Sequence, residues 1–273
     1  MNAILMTLFS LGIAGAGEGR ELMLYPIRQN DRWGFIDGVG KVVVPLTFLH
    51  VSRFSEGLSL VRVEQDSGDS AEGFIDKRGK FVIGPGPPPN YNLPPMLEHA
   101  WCYHEFHEGR ARFWVGDVSG KGGYIDKTGR VVIPVKYQRI SDFHEGLAWV
   151  ALPRENGIPF GPLPTGFIDI DGRFVIEPTA SFVASGFVQG LCAFSVARRD
   201  GSKTGFMDRK GTQVIPPSFG RAWDFSDGLS CVRLDSAEGP KYGYVGLDGT
   251  MRIPIEFDDA CSFSGGDGVR VEG

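Results

Sequence analysis

The chain of 273 residues has 22% charged and 42% hydrophobic residues and a net charge of −5, values of an ordinary folded domain that exclude a disordered polymer. Lys and Arg are scattered, so no basic stripe points to nucleic acid or to an anionic membrane surface. With 39 Gly and 18 Pro, many tight turns are expected.

The chain opens with "MNAILMTLFSLGIAGAGEGR". Residues 3–14 are mostly apolar, and the small residues ending at Ala16 have the form of a signal-peptidase site, while Lys and Arg are missing ahead of them. Residues 1–21 read either as a signal peptide or as a first strand or hydrophobic cap. A secreted or periplasmic location is favoured over the cytoplasm on this ground. Nowhere else does a stretch reach the ~20 apolar residues of a membrane-spanning helix.

From there one phrase recurs: "WGFIDGVGKVVVP" at 33–45, then "EGFIDKRGKFVIGP", "GGYIDKTGRVVIP", "TGFIDIDGRFVIEP", "TGFMDRKGTQVIPP" and "YGYVGLDGTMRIP". The Gly before the aromatic falls at Gly34, Gly73, Gly123, Gly166, Gly205 and Gly243, a period near 40 residues. Each phrase predicts a hairpin. "GFID" alternates as a strand, Asp accepts turn amides, the D-x-x-G Gly takes positive φ, and the return strand stops at Pro. An aromatic three residues beyond the Pro (Phe48, Tyr137, Phe219, Phe257) suggests a tight or 3₁₀ turn. A "SEGL"-type turn and a third strand follow.

Counted from its Gly (Gly57, Gly109, Gly146, Gly190, Gly228), the third strand keeps small, large and branched residues at its second, fourth and sixth positions. Its third and fifth positions vary. This predicts one core face and one free face. Cys192 and Cys231 fall out of phase by one, so they are expected to be free thiols.

The pattern G-[FY]-I-D-x-x-G-x-x-x-I-P, with F-x-E-G-L between copies, resembles the WG (or KWG) repeat family over nearly the whole chain after residue 21. The Trp-Gly pair itself occurs only at Trp33-Gly34; elsewhere Glu72, Gly122, Thr165, Thr204 and Tyr242 stand before the Gly. The resemblance implies an all-β repeat array, bacterial in the main, and no catalytic residues. The expected fold is a single domain over 22–273 of six three-stranded units, beginning near 22, 58, 109, 147, 191 and 229. Three strands per unit favour an open β-solenoid, with a six-bladed β-propeller as the alternative.

Chemistry is sparse. "HAWCYHEFHEG" gathers His99, Cys102, His104 and His107, but His104 and His107 flank Phe106 and a strand would aim them apart, against a metal site. The repeated Asp37, Asp76, Asp126, Asp169 and Asp208 read as turn caps, because catalysis needs singular residues rather than one copy per unit. No nucleophile elbow or phosphate loop is present. No cofactor and no enzymatic activity are expected. Two Pro- and Gly-rich insertions, 84–95 and 151–165, break the period. The candidate partner surface is Arg62, Arg112, Trp114 and Trp149, with an insertion. A protein partner is expected first and a cell-envelope glycan second, with no nucleic acid.

Overall fold

A computed structural model describes residues 23–92, 101–116, 120–153, 163–180, 182–199 and 201–260. Among these there is no helix. The strands form six small antiparallel sheets in chain order, each a simple meander. The first has three strands, Tyr25–Gln29, Arg32–Ile36 and Val42–Phe48. The other five have four. The second runs His50–Val51, Ser59–Glu64, Ser70–Ile75 and Phe81–Ile83, and the third Trp101–His107, Arg110–Val115, Lys121–Ile125 and Val131–Tyr137. The fourth runs Arg139–Ile140, Leu147–Ala151, Thr165–Asp169 and Phe174–Ala180, and the fifth Val183–Val188, Leu191–Arg198, Gly201–Asp208 and Gln213–Phe219. The sixth runs Arg221–Ala222, Leu229–Ser236, Gly239–Gly246 and Met251–Phe257.

The expectation of three strands per unit is therefore corrected to four. The missed strand is as short as two residues in three of the sheets, too short to show a period. It also places those five sheets eight residues ahead of the unit starts read from the sequence.

The return strand does not stop at its Pro. Val42–Phe48 runs through Pro45, and Val131–Tyr137 through Pro134, each with a register shift against the neighbouring strand. Pro is tolerated there because the strand lies at the sheet edge and the ladder is broken by a bulge. The expected tight turn after Pro is thus a bulged edge strand. This bulge also explains the Gly of the repeated phrase. A Cβ on Gly34 would lie 2.5 Å from the Val44 carbonyl oxygen, and one on Gly123 would lie 2.5 Å from that of Ile133. The bulged backbone crosses where a side chain would stand.

The turn caps form as the sequence suggests. Asp37 Oδ1 accepts from the amides of Val39 and Lys41, at 3.0 and 2.9 Å, and Asp76, Asp126, Asp169 and Asp208 repeat the pair. In the sixth sheet Gly246 replaces the Asp, and Asp248 caps from two residues later.

The expected division into a core face and a free face holds in the second and third sheets and fails in the fourth to sixth. Second and fourth positions of the inner strand are buried (Ser59, Val61, Ala111, Phe113, Ala148, Val150). So are Ala151, Ala193 and Cys231 on the supposed free face. The second to fifth sheets each lie between two neighbours. In the fifth, burial fades along the inner strand, from buried Leu191 and Phe194 to exposed Ala197 and Arg198, whereas in the third Ala111, Phe113 and Val115 are buried and alternate with half-buried Arg110, Arg112 and Trp114.

The contact between sheets is one motif used five times. The aromatic of each "GFID" phrase meets the Phe that precedes the next sheet's Glu-Gly turn. Ring centroids are 4.7 Å apart for Phe35 and Phe54, 4.9 Å for Phe74 and Phe106, and 4.9 Å for Tyr124 and Phe143. Phe167 and Phe187 follow at 5.0 Å, and Phe206 and Phe225 at 4.8 Å. The next sheet's own Ile closes over the same cluster, as Ile75 does beside Phe35 and Ile125 beside Phe74. Burying one such ring stabilises by about 2 kcal/mol.

A polar lock lies alongside. The Glu-Gly turns are two-residue hairpins in which both residues have positive φ, for instance 51° at Glu108 and 76° at Gly109. Glu is costly there, since Asn or Gly takes that conformation more readily. Its side chain supplies the compensation. Glu56 Oε2 accepts from the Gly109 amide at 2.9 Å, Glu108 from Gly146 at 2.7 Å, Glu145 from Gly190 at 2.9 Å, and Gln189 Oε1 from Gly228 at 3.0 Å. Each sheet from the second to the fifth thus holds the turn of the next.

Because Gln189 performs the same task, Glu108→Gln should change stability by less than about 0.5 kcal/mol, whereas Glu108→Ala should cost about 1–2 kcal/mol. Urea denaturation of the two variants checks this, and equal loss in both would show that the bond to Gly146 carries no weight.

Candidate functional site

The locks between turns bring equivalent ends of the sheets together, so the array has two different rims. One, the turn rim, carries the Asp turns and the Glu-Gly turns. The opposite loop rim carries the connection 65–69, the strand ends at Gly116 and Leu152, and the start of the excursion after Ile83. Both insertions therefore leave from the loop rim. Of the first, residues 84–92 are described; residues 154–162 of the second lie outside the described residues.

Acidic groups on the turn rim are committed to structure. Burial works against the charge of Asp126, but the Thr128 hydroxyl, the amides of Arg130 and Thr128 and the nearby Arg110 hold its pKa below the ordinary value. Glu56 is likewise held low against burial by Lys127, whose Nζ is 3.1 Å away, and by the Gly109 amide. The Thr212 amide leads in lowering Asp208. A carboxylate whose folded pKa is lowered adds stability above its unfolded value and loses it as pH falls through the folded one. The urea midpoint should therefore fall between about pH 5 and pH 3, and Asp126→Asn should shrink that fall. An unchanged acid limb in the variant would remove the turn carboxylate from the explanation.

The four sequence-selected residues do not form one open patch. Arg62 is exposed in the loop-rim half of its strand and pairs with Glu72 at 2.8 Å. Arg112 bridges to the fourth sheet, with Nε 2.7 Å from Asp142 Oδ1 and Nη2 3.1 Å from Oδ2. Trp114 is half-buried against the cluster between the third and fourth sheets, and Trp149 against the cluster between the fourth and fifth. The tryptophans are wedged between sheets rather than free.

The register shows a pairing that the sequence reading missed. The variable residue before each repeat Gly lies directly across the ladder from the variable fifth position of the inner strand. The pairs are Arg28 with Trp33, Arg62 with Glu72, Trp114 with Gly122, Ala151 with Thr165, Ser195 with Thr204 and Arg233 with Tyr242. The partners match: an ion pair at Arg62–Glu72, a bond of 2.8 Å between the hydroxyls of Ser195 and Thr204, and a Trp114 ring over Gly122, where a Cβ would come within 2.7 Å of it. Tabulating the two slots side by side would have found this. In the sixth sheet the row ends in an aromatic–arginine group. The Arg221 guanidinium lies 4.8 Å from the Trp223 ring centroid, and Trp223 lies 6.1 Å from Tyr242.

The histidine-rich stretch is dispersed. His104 Nδ1 is 3.4 Å from Arg112 Nη2, and burial followed by that guanidinium pushes its pKa down. His107 lies against His144 with ring centroids 5.9 Å apart. Among the described residues no three His, Cys, Asp or Glu side chains converge as a metal would need; His99 lies outside them. Cys192 is a buried free thiol and Cys102 is free as well, while Cys231 is buried on the other phase of its strand. Burial pushes the Cys192 thiol up to about 12, which makes it a packing residue rather than a nucleophile.

Because both rings are wedged, Trp114→Ser and Trp149→Ser should each cost about 1–3 kcal/mol. Arg62→Ala should stay within about 0.5 kcal/mol. Thermal denaturation of the three variants checks the ordering.

No curated protein matches the chain. Among solved structures, one titled as the eukaryotic initiation factor aligns with a TM-score of 0.54 at 11% identity, covering 86% of this chain and 63% of that one. One of two prolyl endopeptidases aligns at 0.52 and 14%, covering 86% and 39%. The β-propeller domain of the Trilobed protease from Pyrococcus furiosus gives 0.46 and 10%, covering 86% and 80%. The chain spans less than two thirds of the first two, and likeness at such identity is one of fold alone. Among the described residues no helix is long and apolar enough to cross a membrane. The family model "WG containing repeat" matches residues 33–65, 123–152, 205–236 and 242–266. These are segments that carry the Gly-aromatic hairpin, and in them the chain carries the WG-containing repeat.

Proposed function

We propose that the chain is a non-catalytic repeat scaffold that binds a protein partner at its loop rim. One observation carries the reading: the two rims divide the sequence. The turn rim repeats closely similar residues from sheet to sheet and engages them in caps and locks. The loop rim differs in every sheet, receives both insertions, and ends the row of unlike cross-strand pairs from Arg28–Trp33 to Arg233–Tyr242. A shared packing problem explains the first pattern and does not require the second. Partners of such arrays meet the variable side, and aromatic and Arg side chains are the usual anchors. Arg62 and Trp114 contribute to that side through its pairs, while Arg112 and Trp149 lie across from Tyr124 and Phe167 and support it from between the sheets. Cross-linking of the full chain to a captured partner should place the links at residues 62–72, 84–92 and 221–242. Links confined to the turn rim would overturn the assignment, and glycan binding lost in Trp114→Ser at retained fold would move the reading to a cell-envelope glycan.

For the arrangement we infer six blades in propeller fashion with one open seam, in place of a solenoid. Four-stranded sheets covered on both faces are blade-like. Five junctions repeat one contact, in which the edge-strand Ile or Val packs on the next sheet's turn Gly, such as Val44 at Gly79 and Ile133 at Gly172. Among the described residues nothing approaches a Cβ on Gly40 of the first sheet within 4 Å, and in the sixth Phe257 is 39% exposed where Phe48, Tyr137 and Phe219 are buried. A Cys pair built at Arg28 and Asp259 should then stay reduced under oxidation, while the register-equivalent pair at Arg221 and Arg233 closes. Ready closure of the first pair would mean a sealed ring.

A further inference from the structure

The cross-strand pairs of the loop rim run on across a whole sheet, and in the sixth sheet the row reads Arg221, Arg233, Tyr242, Phe257. Residues directly opposite in an antiparallel ladder share a face and stand about 5 Å apart. Two arginines therefore face each other at the start of this row. The other four-stranded sheets avoid that arrangement. Their same two places hold His50 and Arg62, Cys102 and Trp114, Arg139 and Ala151, and Val183 and Ser195. In the second sheet Arg62 is also answered by Glu72 on the next strand, whereas in the sixth Tyr242 stands in that place. Asp235, on the same strand, comes within 3.0 Å of Arg233 Nε, yet that buried nitrogen makes no hydrogen bond. Arg221 pairs with no carboxylate among the described residues and lies over the Trp223 ring, 4.8 Å from its centroid. Asp224 is turned towards the fifth sheet, where it acts on the Cys192 thiol. Two guanidinium groups against one carboxylate leave the row with a net positive charge among aromatic rings.

The row also lies on an open face. In the third sheet its members Trp114 and Tyr137 share a cluster with Val150 and Ile168 of the fourth sheet, and Tyr137 is fully buried. No sheet follows the sixth among the described residues, and Phe257 is 39% exposed. Like charges held opposite each other destabilise a sheet, a cost that an anionic partner removes. We propose that this end face of the sixth sheet binds a partner protein through a segment in which an acidic residue adjoins an apolar one. The carboxylate sits between Arg221 and Arg233, and the apolar side chain packs on Tyr242 and Phe257. Charge complementarity selects the carboxylate, because a guanidinium offers it a matching fork of donors. The net charge of −5 and the nearby acids Asp235 and Asp258 disfavour a polyanion such as nucleic acid. This rests on the reading of the loop rim as the partner side and adds the chemistry of the partner. Cross-links at residues 62–72 and 84–92 with none at 221–242 would remove it and leave that reading standing.

The probe is a displayed library of random linear peptides, selected on the full chain at low salt. Enriched peptides are expected to carry Asp or Glu beside an apolar residue. One of them, made synthetically, should shift the Trp223 indole and the Tyr242 amide to saturation in NMR titrations. Arg221→Gln and Arg233→Gln, each checked for an unchanged melting temperature, should weaken it by about fivefold or more, as should an amide in place of the peptide's acid. Tyr242→Glu recreates the pairing of Arg62 with Glu72 and should abolish binding, whereas Tyr242→Phe should retain it. The proposal is overturned if no peptide is enriched, if the enriched peptides are basic or uncharged, or if binding is indifferent to both arginines. It is also overturned if an oligothymidylate saturates the same resonances while the acidic peptides do not, which would make the anion a phosphate. Shifts at Trp223 with protein concentration alone would overturn it by assigning the face to a second copy. Shifts of residues 261–273 in Arg233→Gln would overturn it by assigning the face to the chain's own end.

Discussion

A four-stranded sheet of this chain has two apolar faces and cannot cover either. Everything else follows from that. The aromatic of each "GFID" phrase has nowhere to go except onto the Phe beside the next Glu-Gly turn, and the centroid distances at the five junctions differ by only a few tenths of an ångström. Stacking of rings fixes how close two sheets come but says little about sliding along the strands. The bond from Glu56, Glu108, Glu145 or Gln189 to the next Gly amide supplies that register, because it is directional and short. The two interactions together leave one end of every sheet fixed and the other end free to diverge.

That asymmetry separates structure from function on the same repeat. On the turn rim a change is felt twice, as a lost cap within a sheet and a loosened neighbour. On the loop rim the constraint is only that facing side chains suit each other, so an ion pair, two hydroxyls or a Trp over Gly serve equally well. Insertion 84–95 shows how far this tolerance extends. The second sheet has Pro87 where the first has Phe48, and Tyr91 from the inserted residues supplies the missing ring.

Much of this was legible in the residues alone. The hairpin, its Asp cap and the small-large rhythm of Ser59–Val61, Ala111–Phe113 and Ser230–Val232 are local, and local chemistry is what a repeat displays. The strands His50–Val51, Arg139–Ile140 and Arg221–Ala222 were not legible, since two residues carry no period. The free face was misread for a different reason. Alternation reports that a face is constrained, whereas Ala151, Ala193 and Cys231 are buried by neighbours that differ from junction to junction, so burial there leaves no common residue. The role of Glu in its turn was hidden as well. From sequence it is an acid in a tight turn, and only the fold shows that its side chain reaches past its own sheet.

The claim that each sheet is held by its neighbour can be tested most directly by native-state hydrogen exchange at the amides of Gly109, Gly146, Gly190 and Gly228. Each lies at a tight turn on the rim and would exchange quickly if the array were a string of independent hairpins. The account predicts that all four are protected to nearly the level of the central strands, and that Glu145→Ala releases Gly190 far more than the other three. Four amides that exchange as fast as exposed turns, or a Gly190 amide indifferent to Glu145, would contradict it.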